Sequence, residues 1–309
     1  RSFDDLQHKY SRFWENLFPY LRELTDVVAS YDDRIMIFED YPDGNYGTQE
    51  QYLGFYGVNP DVSMPFNFEG LGAKFSAESF STMVNEFQGM INPDIHTPVY
   101  CFSNHDQARI ATRYGGTEQA RLVALMQLTL PGLPVVYYGD EIGMMNGELT
   151  ADDIQDNFSP ANSVVDSRDL ERTPMQWNDS QFAGFSSAKP WLPINDNHTK
   201  INVDSEKIVN DSLLNIHRKL LKLRQTFPIL KNGNLSIVQN TGNGFILGLK
   251  RELSGQRAYI FINFADEKQS FSIPENAKII TSTHSVDLIT AENLQMIIPG
   301  YCGVLLIVQ

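Results

Sequence analysis

Apolar positions recur along this chain with two different periods. From Phe13 to Ser30 they fall at Phe13, Leu17, Leu21, Leu24, Val27 and Val28, a helical stripe. Arg34 to Phe38 is a short β-rich run. Tyr52 to Phe68 shows no clear period and closes on Met64-Pro65-Phe66-Asn67-Phe68, a short candidate strand. Ser76 to Ile91 is helical again, with Ser76 or Ser79 as its N-cap. Val99 to Phe102 reads as a strand, Thr117 to Leu130 as a helix stopped by Pro131-Gly132, and Val135-Val136-Tyr137-Tyr138 as another strand. Strands that are apolar almost throughout and alternate with helices predict βα units around a parallel sheet.

From Met145 to Asp204 the periodicity stops, and Asp, Asn, Ser and Pro dominate. A loop this long inside a compact domain is functional or disordered. Trp177, Trp191 and Pro174-Met175-Gln176-Trp177 argue for order. Ser212 to Thr226 is a strong amphipathic helix whose later turns carry Arg218, Lys219, Lys222 and Arg224, where cations suit the helix dipole. After Pro228 the pattern changes to short β runs separated by Gly and Asn turns: Phe245 to Leu249, Ala258 to Asn263, Lys278 to Thr281 and Val304 to Val308. We therefore divide the chain into a mixed α/β part at 1–226, containing a long ordered loop at 145–205, and an antiparallel β domain at 227–309.

The net charge of −14 and pI near 4.8 leave no basic face for nucleic acid and fit a neutral ligand such as a sugar, or simply serve solubility. Cys101 and Cys302 both fall in buried-strand patterns and read as small apolar core residues. Without a Cys/His cluster the sequence offers no metal site. No apolar run is long enough to span a bilayer. Arg1 opens the chain without a signal peptide, which is either removed or upstream. Five N-x-S/T sequons, at Asn157, Asn178, Asn197, Asn210 and Asn234, favour a secreted or lumenal glycoprotein, whereas the low cysteine count pulls the other way.

The chemistry concentrates at strand ends. Glu39 terminates the run Arg34 to Phe38, and Asn104-His105-Asp106 terminates the run Thr97 to Ser103. Two acidic groups at the carboxyl ends of buried parallel strands suit glycoside cleavage, in which one gives a proton and the other stabilises a cationic transition state. For Asp106 the alternative is an Asx turn or helix cap. For Glu39 it is pairing with a loop cation.

Four stretches together resemble the α-amylase superfamily of glycoside hydrolases (family 13), in its maltase and oligo-1,6-glucosidase branch. They are Ile35-Met36-Ile37-Phe38-Glu39, Phe102-Ser103-Asn104-His105-Asp106-Gln107, Gly132-Leu133-Pro134-Val135-Val136-Tyr137-Tyr138-Gly139-Asp140-Glu141-Ile142-Gly143-Met144, and Arg172-Thr173-Pro174-Met175-Gln176-Trp177. Ala183-Gly184-Phe185-Ser186 after the last narrows the branch. The resemblance implies an α/β fold: the second half of a (β/α)8 TIM barrel followed by a small antiparallel β-sandwich. It makes Glu39 the general acid/base, Asp106 the transition-state stabiliser and His105 a donor to a sugar hydroxyl. It makes Arg168 a clamp on the non-reducing end of the substrate, against the alternative of a salt bridge to Asp166 or Asp169. Arg109 and Arg113 would orient carboxylates or cap loops. Trp177 and Trp191 would anchor the loop in the core or serve as sugar platforms.

The family's nucleophilic aspartate follows strand four in a Gly-Phe-Arg-x-Asp-like motif, which nothing here matches. Asp4 and Asp5 are the nearest candidates, without the preceding strand. The resemblance thus implies part of a retaining exo-acting α-glucosidase acting on maltose, sucrose or isomalto-oligosaccharides. Its partner would be the N-terminal half of the same enzyme, as a separate or cleaved chain, and this chain alone would be inactive. It implies no cofactor in this chain and leaves a structural calcium to that N-terminal half. The rivals are a non-enzymatic scaffold like the ectodomain of amino-acid transporter heavy chains, and a transglycosidase or sugar isomerase of the same family.

Overall fold

Four short strands hold the first part of the molecule, seen in a computed structural model that describes residues 16–40, 49–158, 163–238 and 244–308. β1 (Met36–Phe38) pairs in parallel with β2 (Ser63–Pro65), Met36 opposite Ser63. β3 (Val99–Cys101) pairs in parallel with β4 (Leu133–Val135). A parallel bridge between Asn67 and Tyr100 joins the pairs. There the Asn67 amide donates to the Val99 carbonyl at 2.8 Å, and the Cys101 amide to the Asn67 carbonyl at 3.1 Å. The strands therefore run side by side in one direction, with their carboxyl ends together. The inner strands are buried, but Ile37 on β1 and Leu133 on β4 are exposed, as are Ile35 and Val136 beside them.

The helices are α1 (Leu17–Ala29), α2 (Gln49–Gly57), α3 (Glu69–Gly72), α4 (Ala77–Met90), α5 (Ile110–Tyr114), α6 (Thr117–Thr129), α7 (Val203–Ile208), α8 (Leu213–Thr226) and α9 (Ile229–Asn232). Local chemistry sets their starts. Ser76 caps α4 by accepting from the Ser79 amide at 3.1 Å, and Ser212 caps α8 by accepting from the Asn215 amide at 3.2 Å. Two elements depart from the sequence expectation. The stretch after Tyr52 begins inside a helix, α2, where Tyr52, Phe55 and Tyr56 form one buried face; the helix is only nine residues long and holds two glycines, so the stripe is too short to stand out in the sequence. The strand expected at Val135 to Tyr138 lies earlier, at β4, because the Tyr137 amide turns to Asp140 Oδ2 at 3.2 Å.

The C-terminal part is a pair of antiparallel sheets. β5 (Asn234–Ile237), β6 (Ile246–Leu253), β7 (Gln256–Asn263), β12 (Gly303–Ile307) and β9 (Lys278–Ser282) form one, in that spatial order. β10 (Thr290–Glu292), β11 (Gln295–Ile298) and β8 (Gln269–Ser272) form the other. The alternation along β7 shows how the parts share a core. Ala258, Ile260 and Ile262 join the large cluster with Leu122, Leu125 and Leu220 of the helices, while Tyr259 and Phe261 pack between the sheets against Phe271 and Met296. Cys101 and Cys302 are both buried and unpaired, and burial pushes each thiol up to about 12.

Two buried arginines stitch the seam. Arg224 Nη1 donates to the carbonyls of Leu128, Leu130 and Leu230 at 3.0, 2.6 and 2.9 Å. Arg251 donates to the carbonyls of Thr129, Leu230 and Gly233, and none of its side chain is exposed. Carbonyls left over at the ends of α6 and α9 are thereby satisfied by Arg224 of α8 and Arg251 of β6. Among the described residues no helix is long and apolar enough to cross a membrane.

Candidate active site

Beyond β3 the chain makes a tight turn. Asn104 supplies the Asx geometry, its Oδ1 accepting from the Asp106 amide at 3.0 Å, so the Asp106 carboxylate is left for other work. Three cationic or potentially cationic groups converge on one oxygen of that carboxylate. Arg172 Nη2 lies 2.8 Å, Arg168 Nη1 3.0 Å and His105 Nε2 3.5 Å from Asp106 Oδ1. Arg172 Nε also donates to the His105 carbonyl at 2.8 Å, which ties the turn and the long loop together. His105 itself is half exposed.

The aperiodic loop is ordered by its polar side chains. Asn146 accepts from the Arg109 amide at 2.8 Å and donates to Glu171 Oε2 at 3.2 Å. The Tyr138 hydroxyl donates to the Thr173 carbonyl at 2.7 Å. A 3-10 turn at Arg168–Glu171, capped by Ser167, presents Arg168 and Arg172 toward Asp106. Arg168 pairs with Asp156 rather than with Asp166 or Asp169: Nε and Nη2 meet Asp156 Oδ2 and Oδ1, both at 2.8 Å. Asp169 is turned away to accept from the amides of Gln155 and Asp156 at 2.6 and 2.7 Å. The Arg168 guanidinium holds the Asp156 carboxyl well below the usual carboxylate range.

Behind the turn lie charges whose role the sequence does not disclose. Arg109 is fully buried, donates to the Tyr138 carbonyl at 2.6 Å and stacks against the Tyr137 and Tyr138 rings at 5.1 and 4.7 Å. Near it, burial pushes the Asp140 carboxyl up to about 6, opposed by a hydrogen bond from Ser103 Oγ. Burial likewise pushes Glu171 up to about 7. Arg113 clamps the carbonyls of Ala108, Leu71 and Phe102, the loop-capping role expected of it.

Glu39 follows the last residue of β1 directly and is exposed at the same end of the parallel strands. Among the described residues no hydrogen bond or ion pair joins it to the Asp106 group. The structure thus brings His105, Asp106 and Arg168 into contact and adds Arg172 and Asp156; Glu39 is not bonded to this group among the described residues. Asp4 and Asp5 lie outside the described residues. The tryptophans are not core: Trp177 is 48% and Trp191 72% exposed. With Tyr138, Phe185, Glu141 and Arg172 they line a cavity of about 390 Å³. Among the described residues no group of three His, Cys, Asp or Glu side chains is placed to hold a metal ion.

The model of the α-amylase catalytic domain matches residues 2–233. Relatives include an α-glucosidase of Apis mellifera, 29% identical across 93% of this chain and 53% of that protein. They also include maltase 1 of Drosophila virilis, 30% identical across 98% of this chain and 48% of that protein, and an oligo-1,6-glucosidase of Bacillus cereus, 27% identical across 87% and 54%. The chain spans about half the length of these relatives. Among solved structures it is similar to an α-glucosyl transfer enzyme, with a TM-score of 0.82 and 26% identity over 96% of this chain and 55% of that one. It shares its fold with a trehalulose synthase at a TM-score of 0.83 and 23% identity, over 95% and 59%. Parallel strands followed by Glu39 and by the turn that holds Asp106, arginines fixed on that aspartate and a catalytic-domain match over three-quarters of the residues agree that this chain belongs to the α-amylase family.

Proposed function

We propose that this chain is the C-terminal part of a retaining, exo-acting α-glucosidase that hydrolyses short α-glucosides such as maltose, sucrose or isomalto-oligosaccharides. The observation that carries the reading is the convergence of Arg168, Arg172 and His105 on one oxygen of Asp106, at the end of the parallel strands that also presents Glu39. With Oδ1 saturated by cationic donors, Oδ2 is available to sugar hydroxyls as positive charge develops at the anomeric carbon. A nucleophilic aspartate from the complementary N-terminal half attacks that carbon and forms a glycosyl ester. Glu39 protonates the departing oxygen, then takes a proton from the water that releases the sugar. The exposed apolar residues on β1 and β4 support a half-barrel with two open edges, since four strands do not close. Exposed Tyr20, Leu24 and Val27 on α1 agree with cover from the other half.

Transfer to a sugar acceptor instead of water uses the same residues. The 26% identity to an α-glucosyl transfer enzyme favours it as a second reading. Secretion as a glycoprotein is supported by sequons at exposed Asn157, Asn210 and Asn234, whereas the Asn178 and Asn197 side chains are engaged with Ser180 and Gln176. The test of Glu39 uses leaving groups. In the chain joined to its complementary half, Glu39→Gln should lose roughly 10²–10⁴-fold on maltose and far less on an activated aryl α-glucoside. Equal losses on the two would make Glu39 structural.

A further inference from the structure

Arg168 lies between two carboxylates and is gripped by only one of them. The Nε and Nη2 bonds to Asp156 form a two-pronged fork at 2.8 Å, and Nη1 reaches Asp106 at 3.0 Å. A planar guanidinium held by such a fork cannot rotate, so the direction of its third donor is set by Asp156. Asp156 is anchored in turn. Its side chain is 3% exposed, its carboxylate accepts from the amides of Phe158 and Arg168, both at 3.1 Å, and its own amide is held by Asp169. The Phe158 ring covers one face of the guanidinium at 4.8 Å. Loop contacts therefore aim Arg168 at Asp106.

We infer that Asp156 is a positioning residue for the glycosidic reaction. Through Arg168 it fixes the rotamer of Asp106 so that Oδ2 faces the developing glycosyl cation, with Arg172 as the second clamp on Oδ1. The inference rests on Asp106 being the transition-state stabiliser.

The test uses the chain joined to its complementary half, with Asp156→Asn, Asp106→Asn and the double substitution. Asp156→Asn should lower kcat/KM by about 10²-fold, mostly in kcat, since displacement of a reacting group by an ångström costs about that much. The inhibition constant of a cationic iminosugar should weaken in parallel, while that of neutral glucose changes by less than about threefold; loss of structure alone would weaken both. In the Asp106→Asn background, Asp156→Asn should cost less than about twofold more, because the two act on one interaction. Arg168→Lys, which keeps the charge but loses the fork, should reproduce the Asp156→Asn loss and serves if that variant does not fold. Near-wild-type activity of Asp156→Asn beside an inactive Asp106→Asn overturns the inference alone. Independent, multiplying losses also overturn it. An active Asp106→Asn overturns the underlying reading.

Discussion

Replacing Arg251 by Met should weaken the whole molecule, although Arg251 is far from any reacting atom. The substitution keeps most of the side-chain length but removes every donor. The Thr129 and Gly233 carbonyls lose their bonds from Arg251, while the Leu230 carbonyl keeps one from Arg224 at 2.9 Å. Two buried carbonyls at about 2 kcal/mol each cost about 4 kcal/mol. Against this, Arg251 Nε has no partner in the native state, and a second guanidinium, Arg224, lies close enough to disfavour the charge. Relief of these terms returns about 1 kcal/mol, so a net loss of about 3 kcal/mol is expected. Urea unfolding followed by far-UV circular dichroism measures it, and the thermal midpoint should fall by about 4–5 °C for a chain of this length. A loss under about 1 kcal/mol, or a gain, would show that the burial of charge outweighs the carbonyl bonds and that the arginines are not the stitch between the parts.

Two further outcomes follow from local structure. Glu171 binds a proton more readily when folded, its carboxyl raised by burial from 4.5 to about 7. The folded state therefore loses stability as pH rises from about 4.5 through about 7, and Glu171→Gln should remove its share of that slope, leaving the share of Asp140 below about pH 6; wild-type and variant midpoints that fall in parallel between pH 6 and 7 would refute it. Gly132→Ala forces an L residue to a φ of +75° and places its Cβ 2.1 Å from the Pro98 carbonyl oxygen. It should cost more than the roughly 1–2 kcal/mol of a left-handed residue alone, read as a lower melting temperature, and an unchanged midpoint would refute the close approach of the β3 and β4 segments.

What the sequence disclosed tracks what is periodic. Helices α1, α4, α6 and α8 and strands β1 and β3 carry a 3.6-residue stripe or a bounded apolar run, and their ranges differ from expectation at the ends only. Helix α2 is only nine residues long with glycines at 54 and 57, so its one buried face of Tyr52, Phe55 and Tyr56 is too short to read as a stripe. Strands β8 and β10, Gln269–Ser272 and Thr290–Glu292, are polar, and their register depends on the partner β11. In the candidate site, Glu39 and the triplet Asn104-His105-Asp106 could be singled out because each follows an apolar run. Asp156 could not. It is one acid among Asp152, Asp153, Asp166 and Asp169 in an aperiodic stretch, and only the folded loop decides which of them meets Arg168. The exposure of Trp191 was illegible for the same reason, since a tryptophan in a loop reads as an anchor until its neighbours are placed.

The most direct test of the central claim follows the anomer released by the chain joined to its complementary half. Proton NMR during the first turnovers of an α-glucoside should show α-glucose appearing before mutarotation, as a double displacement requires. That signal should disappear on maltose in Glu39→Gln and in Asp106→Asn. β-Glucose as the first product, or α-glucose released by either variant at the wild-type rate, would contradict the assignment of Glu39 and Asp106.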